Sequence, residues 1–105
     1  MSRMREIVAK YGEEYMLRQL AEECCELAQA ALKVIRAKHK ETPMRESEAW
    51  ERFLEELADV EVLRDGIMSA MLNPEEKEYV YDTELFKENR MYERMLDGER
   101  EEHVW

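Results

Sequence analysis

Glycine and proline are scarce, three and two among 105 residues. That scarcity excludes a turn-rich sheet architecture and favours long helices. Cysteine is confined to the neighbours Cys24 and Cys25. Adjacent residues on a helix diverge by about 100°, poor geometry for a disulfide, so the pair suits a reducing cytoplasm. No stretch approaches the roughly 18 apolar residues of a membrane span, and Ile7-Val8-Ala9 is too short for the apolar region of a signal peptide. An excess of basic charge is also missing. With 26 acids against 16 bases the formal net charge is -10, which argues against nucleic-acid binding and requires a bridging cation for any small anionic substrate. There is no Walker loop, no GxGxxG and no Ser/His/Asp set. His39 and His103 have no partner at ligand spacing, and the lack of Glu-x-x-His disfavours a di-iron carboxylate bundle.

Apolar residues make up 45% and charged residues 40% of the chain. The pattern predicts an all-α antiparallel bundle of about four helices over residues 1–98, followed by a charged tail with an apolar tip over 99–105. A first short helix runs to about Lys10 and is punctuated by Tyr11-Gly12. A long second helix opens at Glu13-Glu14 and reaches Lys38 to Lys40, its basic end complementing the helix dipole. Pro43 breaks that run, and a third helix begins between Met44 and Ser47. Asn73-Pro74 ends it and opens the fourth, which continues to Asp97-Gly98.

On helix two, Leu20, Cys24, Leu27, Ala31 and Val34 form an apolar stripe, widened to about half the circumference by Ala21, Cys25, Ala28 and Leu32. This predicts small apolar core residues at Cys24 and Cys25 and burial on two sides, completed by a homodimer or homotetramer. On helix three the expected stripe is Trp50, Phe53, Leu57, Val60, Ile67, Met68 and Met71; on helix four it is Val80, Leu85, Phe86, Met91 and Met95. Trp50, Phe53, Tyr11 and Tyr15 serve either as core or as a stacking surface for a base. The eight methionines read as adaptable core filler.

Two pairs of acids share one spacing: Glu23 and Glu26 on helix two, Glu56 and Asp59 on helix three. Acids three apart lie on one helix face and can share a hard cation, although so acidic a chain produces this spacing often, and solvated helix charges are the alternative. Both pairs flank the expected stripe at the same offsets, at the margin of one core, with Glu22 and Glu55 pointing more fully to solvent. Four converging carboxylates repel unless a metal neutralises them, and oxygen-only ligands favour Mg²⁺ or Mn²⁺ over Zn²⁺.

Leu20-Ala21-Glu22-Glu23-Cys24-Cys25-Glu26-Leu27-Ala28-Gln29-Ala30 followed by Glu55-Glu56-Leu57-Ala58-Asp59-Val60-Glu61-Val62 resembles the MazG-like all-α nucleoside triphosphate pyrophosphohydrolases, whose signature is ExxE, a gap, then ExxD. The gap here, residues 27 through 55, is 29 residues, longer than is usual in that family and implying a longer helix or connecting loop. The resemblance implies an enzyme that hydrolyses a nucleoside triphosphate to the monophosphate and pyrophosphate, with Glu23, Glu26, Glu56 and Asp59 holding Mg²⁺ (or Mn²⁺). A catalytically silent nucleotide-binding or oligomerisation module of the same fold is the alternative. Lys33, nearly on the Glu23 side of its helix, is a candidate phosphate contact or an exposed lysine. Lys87 and Arg90, with Arg94 one turn on, match a basic pattern in the family's last helix, with local salt bridges as the alternative. Glu61 and Arg64 on the expected apolar side call for a mutual or intersubunit ion pair, and Asp65 is either an outer acid of the site or solvated.

Overall fold

The computed structural model describes residues 2–98; the expected tail and His103 lie outside the described residues. Among them are four α-helices and no strand: α1 (Arg3–Tyr11), α2 (Glu13–Lys38), α3 (Glu46–Ala70) and α4 (Pro74–Leu96). The all-α expectation holds, and each boundary has a local cause. Ser2 caps α1 by accepting from the Arg5 amide at 3.2 Å. Gly12, at φ +91°, separates α1 from α2 in a conformation that other side chains rarely adopt. Asn73 and Glu76 form a reciprocal capping box at 2.8 and 2.9 Å, with Pro74 inside the first turn of α4.

Helix α2 ends less conventionally. The Glu41 amide donates to the Arg36 carbonyl at 2.9 Å and the Lys40 amide to that of Ala37 at 3.2 Å, a Schellman closure in which Lys40 takes the left-handed position at φ +56° that glycine usually fills.

The chain divides into two compact units, Met1–Met71 with α1 to α3, and Leu72–Trp105 with α4. In the first, α2 and α3 form an antiparallel hairpin across the connection 39–45, and α1 packs on both. The seam of α2 runs Met16, Leu20, Glu23, Leu27, Ala30, Val34, Ala37, and that of α3 Ala49, Phe53, Glu56, Val60, Leu63, Ile67, Ala70, all buried or half-buried. Both alternate steps of four and three residues, the spacing that keeps one face turned to a partner helix. Met16 is 1% exposed, and Gly66 on α3 lets the Met4 side chain of α1 approach.

This register corrects the expected stripes. Cys24 and Cys25 are exposed rather than core, as are Ala21, Ala28 and Leu32, because α3 covers one narrow face of α2. Trp50 and Leu57 are also exposed, and so are Leu85, Phe86 and Met95 on α4. Glu61 is exposed, and the Arg64 guanidinium lies 3.9 Å from the exposed Asp65 carboxylate.

Candidate metal centre

The seam of the hairpin holds an acid on each helix. Glu23 and Glu56 sit at positions that the period assigns to the core and are half-buried, while Glu26 and Asp59, three residues on, lie exposed at its edge. The pairs therefore straddle the seam rather than flank it from one margin. Antiparallel pairing brings residue 23 opposite 59 and residue 26 opposite 56. Glu23, Glu56 and Asp59 each present a carboxylate oxygen, all within 4.8 Å of one another. Glu26 completes the four as an exposed acid beside both Glu23 and Glu56.

The cost of this convergence is visible in the acids themselves. Burial pushes the Glu23 carboxyl above its ordinary value, and the charges of Glu26 and Asp59, the hydrogen bond with Glu26 and the charge of Glu56 push the same way. Glu56 is raised first by burial, then by the charge and hydrogen bond of Glu26, then by Asp59 and Glu55. Each also keeps one buried oxygen, Oε2, without a hydrogen-bond partner. A buried acceptor left unsatisfied is destabilising.

A hard cation fits this donor set. Every donor is a carboxylate oxygen, and Glu23 and Glu56 each have a buried oxygen without a hydrogen-bond partner. All three oxygens lie within 4.8 Å of one another, so movement of side chains alone could gather them around one such ion.

Beside the acids is a cavity of about 320 Å³, lined on α2 by Glu26, Gln29, Ala30 and Lys33, and on α3 by Ala49, Arg52 and Glu56, with Met44 from the connection. The small buried side chains of Ala30 and Ala49 leave its floor open. Lys33, a candidate phosphate contact or exposed lysine, is exposed and lines this cavity. Arg52 was missed; one turn before Glu56, it looks in the sequence like an ordinary helix neighbour of an acid. The long gap between the acidic signatures is mostly helix. About three turns of α2 and of α3 extend beyond the carboxylates before the connection 39–45, and those turns wall the cavity.

The other candidates are placed as follows. Lys87 is exposed on α4, and the half-buried Arg90 has its guanidinium 5.9 Å over the Phe86 ring. Both belong to the second unit, whereas the four carboxylates belong to the first. Tyr11 and Tyr15 stack on each other at 4.9 Å, and Trp50 tilts against Phe53 at 5.1 Å. No helix among the described residues is long and apolar enough to cross a membrane. The chain matches no family model, no curated protein and no solved structure, so the centre is read from its own geometry.

Proposed function

We propose that the chain is a Mg²⁺-dependent nucleoside triphosphate pyrophosphohydrolase, in keeping with the family that its acidic signatures resemble. The observation that carries this reading is the placement of Glu23 and Glu56 inside the helical seam. Their buried oxygens are unpartnered, Asp59 and Glu26 stand beside them, and the cluster borders a cavity with cationic residues in its wall. Carboxylates at core positions are costly to a fold that has no cation to place among them.

A bound Mg²⁺ supplies charge neutralisation for phosphate oxygens and a lowered pKa for water. Glu23, Glu56 and Asp59 would hold the ion. Glu26, on the cavity wall, would accept a proton from the attacking water. The water oxygen bonds to the α-phosphorus as the bond to the α–β bridging oxygen breaks. Its electron pair leaves with pyrophosphate, and the proton taken by Glu26 passes to solvent. Lys33 contacts the phosphate chain.

Leu17, Leu32, Ile35, Leu54 and Val62 are exposed on α2 and α3, which favours association into a homodimer or homotetramer. The free thiols of Cys24 and Cys25 favour a reducing cytoplasmic setting.

The test is pyrophosphate release from a panel of ribo- and deoxyribonucleoside triphosphates with Mg²⁺. Release with at least one nucleotide, abolished by chelator and by Glu56→Gln, is the expected result. A folded protein that releases none refutes the enzyme. Nucleotide binding by calorimetry without product then identifies a silent binding module, and the exposed apolar residues alone favour an oligomerisation module.

A further inference from the structure

We infer that Arg52 and Lys33 form a polyphosphate clamp at the end of the cavity remote from the carboxylates, and so select substrates by the length of their phosphate chain. The inference rests on the pyrophosphohydrolase reading and adds to it a residue, Arg52, and a direction for the bound chain.

The geometry follows from the two helices. Lys33 lies seven residues beyond Glu26 on α2, and Arg52 four residues before Glu56 on α3. In an antiparallel hairpin both displacements run toward the connection 39–45. At a rise of 1.5 Å per residue the cations stand about 10 Å and about 6 Å along the helices from the cavity acids. One cavity thus has an anionic end and a cationic end, with the Gln29 amide between them. A triphosphate chain is shorter than the Lys33 displacement, and the flexible four-carbon lysine stem covers the difference. With its α-phosphate at the acids, its β- and γ-phosphates reach the cations. Among the described residues, neither the Lys33 nor the Arg52 side chain makes a hydrogen bond or ion pair with another part of the protein. Two unengaged cations lining one cavity of a chain with net charge -10 make a local exception to its repulsion of anions. The guanidinium offers a planar fork that matches two phosphate oxygens at once.

Inorganic tripolyphosphate with Mg²⁺, titrated calorimetrically into the intact protein, reads the clamp without turnover, and Mn²⁺ uptake followed by electron paramagnetic resonance reads the carboxylates separately. Arg52→Gln and Lys33→Gln should each weaken tripolyphosphate binding by about tenfold or more, the loss of one charge-assisted contact. Arg36→Gln, the same charge change at an exposed α2 position outside the cavity, should weaken it less than about twofold, the effect expected for a distant screened charge. Mn²⁺ uptake should persist in Arg52→Gln. An Arg52→Gln protein that binds like Arg36→Gln overturns the clamp. So does a wild-type protein that takes up Mn²⁺ but no tripolyphosphate, which leaves the metal centre standing. Tripolyphosphate bound selectively through Arg52 without Mn²⁺ uptake upholds the clamp and removes the catalytic reading.

Discussion

The half-buried carboxylates of Glu23 and Glu56 meet across the α2–α3 seam with oxygens within 4.8 Å, and each keeps a buried oxygen that accepts no hydrogen bond. Two like charges at core positions oppose the packing of the helices that present them. Replacing either acid by its neutral isostere should therefore raise the melting temperature of the metal-free protein. The same Glu23→Gln and Glu56→Gln proteins should lose the increase in melting temperature that Mg²⁺ gives the wild type. A scanning calorimetry series with and without Mg²⁺ checks both directions; a metal-free loss of stability in both variants contradicts this account.

Acidity gives a second handle. Both acids have pKa values raised above the ordinary 4.5, so between 4.5 and the raised values the folded chain binds more protons than the unfolded one. Stability from this source is fully present below 4.5 and is lost as pH rises through the raised values. Urea midpoints for wild type and for the Glu23→Gln, Glu56→Gln double variant, measured across that window without metal, should diverge with increasing pH, the wild type falling further. Saturating Mg²⁺ should remove the divergence by favouring the ionised acids.

Lys40 occupies a left-handed conformation at the end of α2, which costs a non-glycine residue roughly 1–2 kcal/mol. Glycine's greater freedom in the unfolded chain returns about 0.4–1 kcal/mol of that. Lys40→Gly should accordingly stabilise the protein by about 0.5–1 kcal/mol in chemical denaturation, with no change in metal binding.

Around Met16 the outcomes should differ sharply between neighbours. Met16→Ala removes a side chain that is 1% exposed and should cost roughly 2–5 kcal/mol. At Gly66 an added methyl would overlap the Met4 terminal methyl, the movable end of a flexible side chain. Because alanine also improves the helix by about 1 kcal/mol, Gly66→Ala should stay within about 1 kcal/mol of wild type, whereas Gly66→Leu should displace α1. Denaturant midpoints separate the three.

Helix limits were legible because Gly12, Pro43 and Asn73-Pro74 punctuate the chain chemically. Packing register was not. Ala21, Ala28, Ala30 and Ala31 spread weak apolar character around α2, and a reading that assigns charged residues to solvent cannot place Glu23 or Glu56 in a seam. The expected stripe of α2 therefore included Cys24, which is exposed, and omitted Met16, Ala30 and Ala37, which are buried. The four acids were legible as candidates through their spacing and the family resemblance, whereas Arg52 became a candidate only through the cavity that it lines.

The placement of the acids about three turns from the connection 39–45 also says what kind of length variation the hairpin tolerates. Residues gained or lost within the connection leave both screw axes untouched. Within α2 or α3, an insertion between the acids and the connection rotates everything beyond it by about 100° per residue, so only steps near a whole heptad return the cavity wall to its phase. The interval between the two acidic signatures is thus a quantity with permitted and forbidden values. Seven residues added to each helix should deepen the cavity by about 10 Å and leave the carboxylates as they are, while two should twist Lys33 and Arg52 away from them.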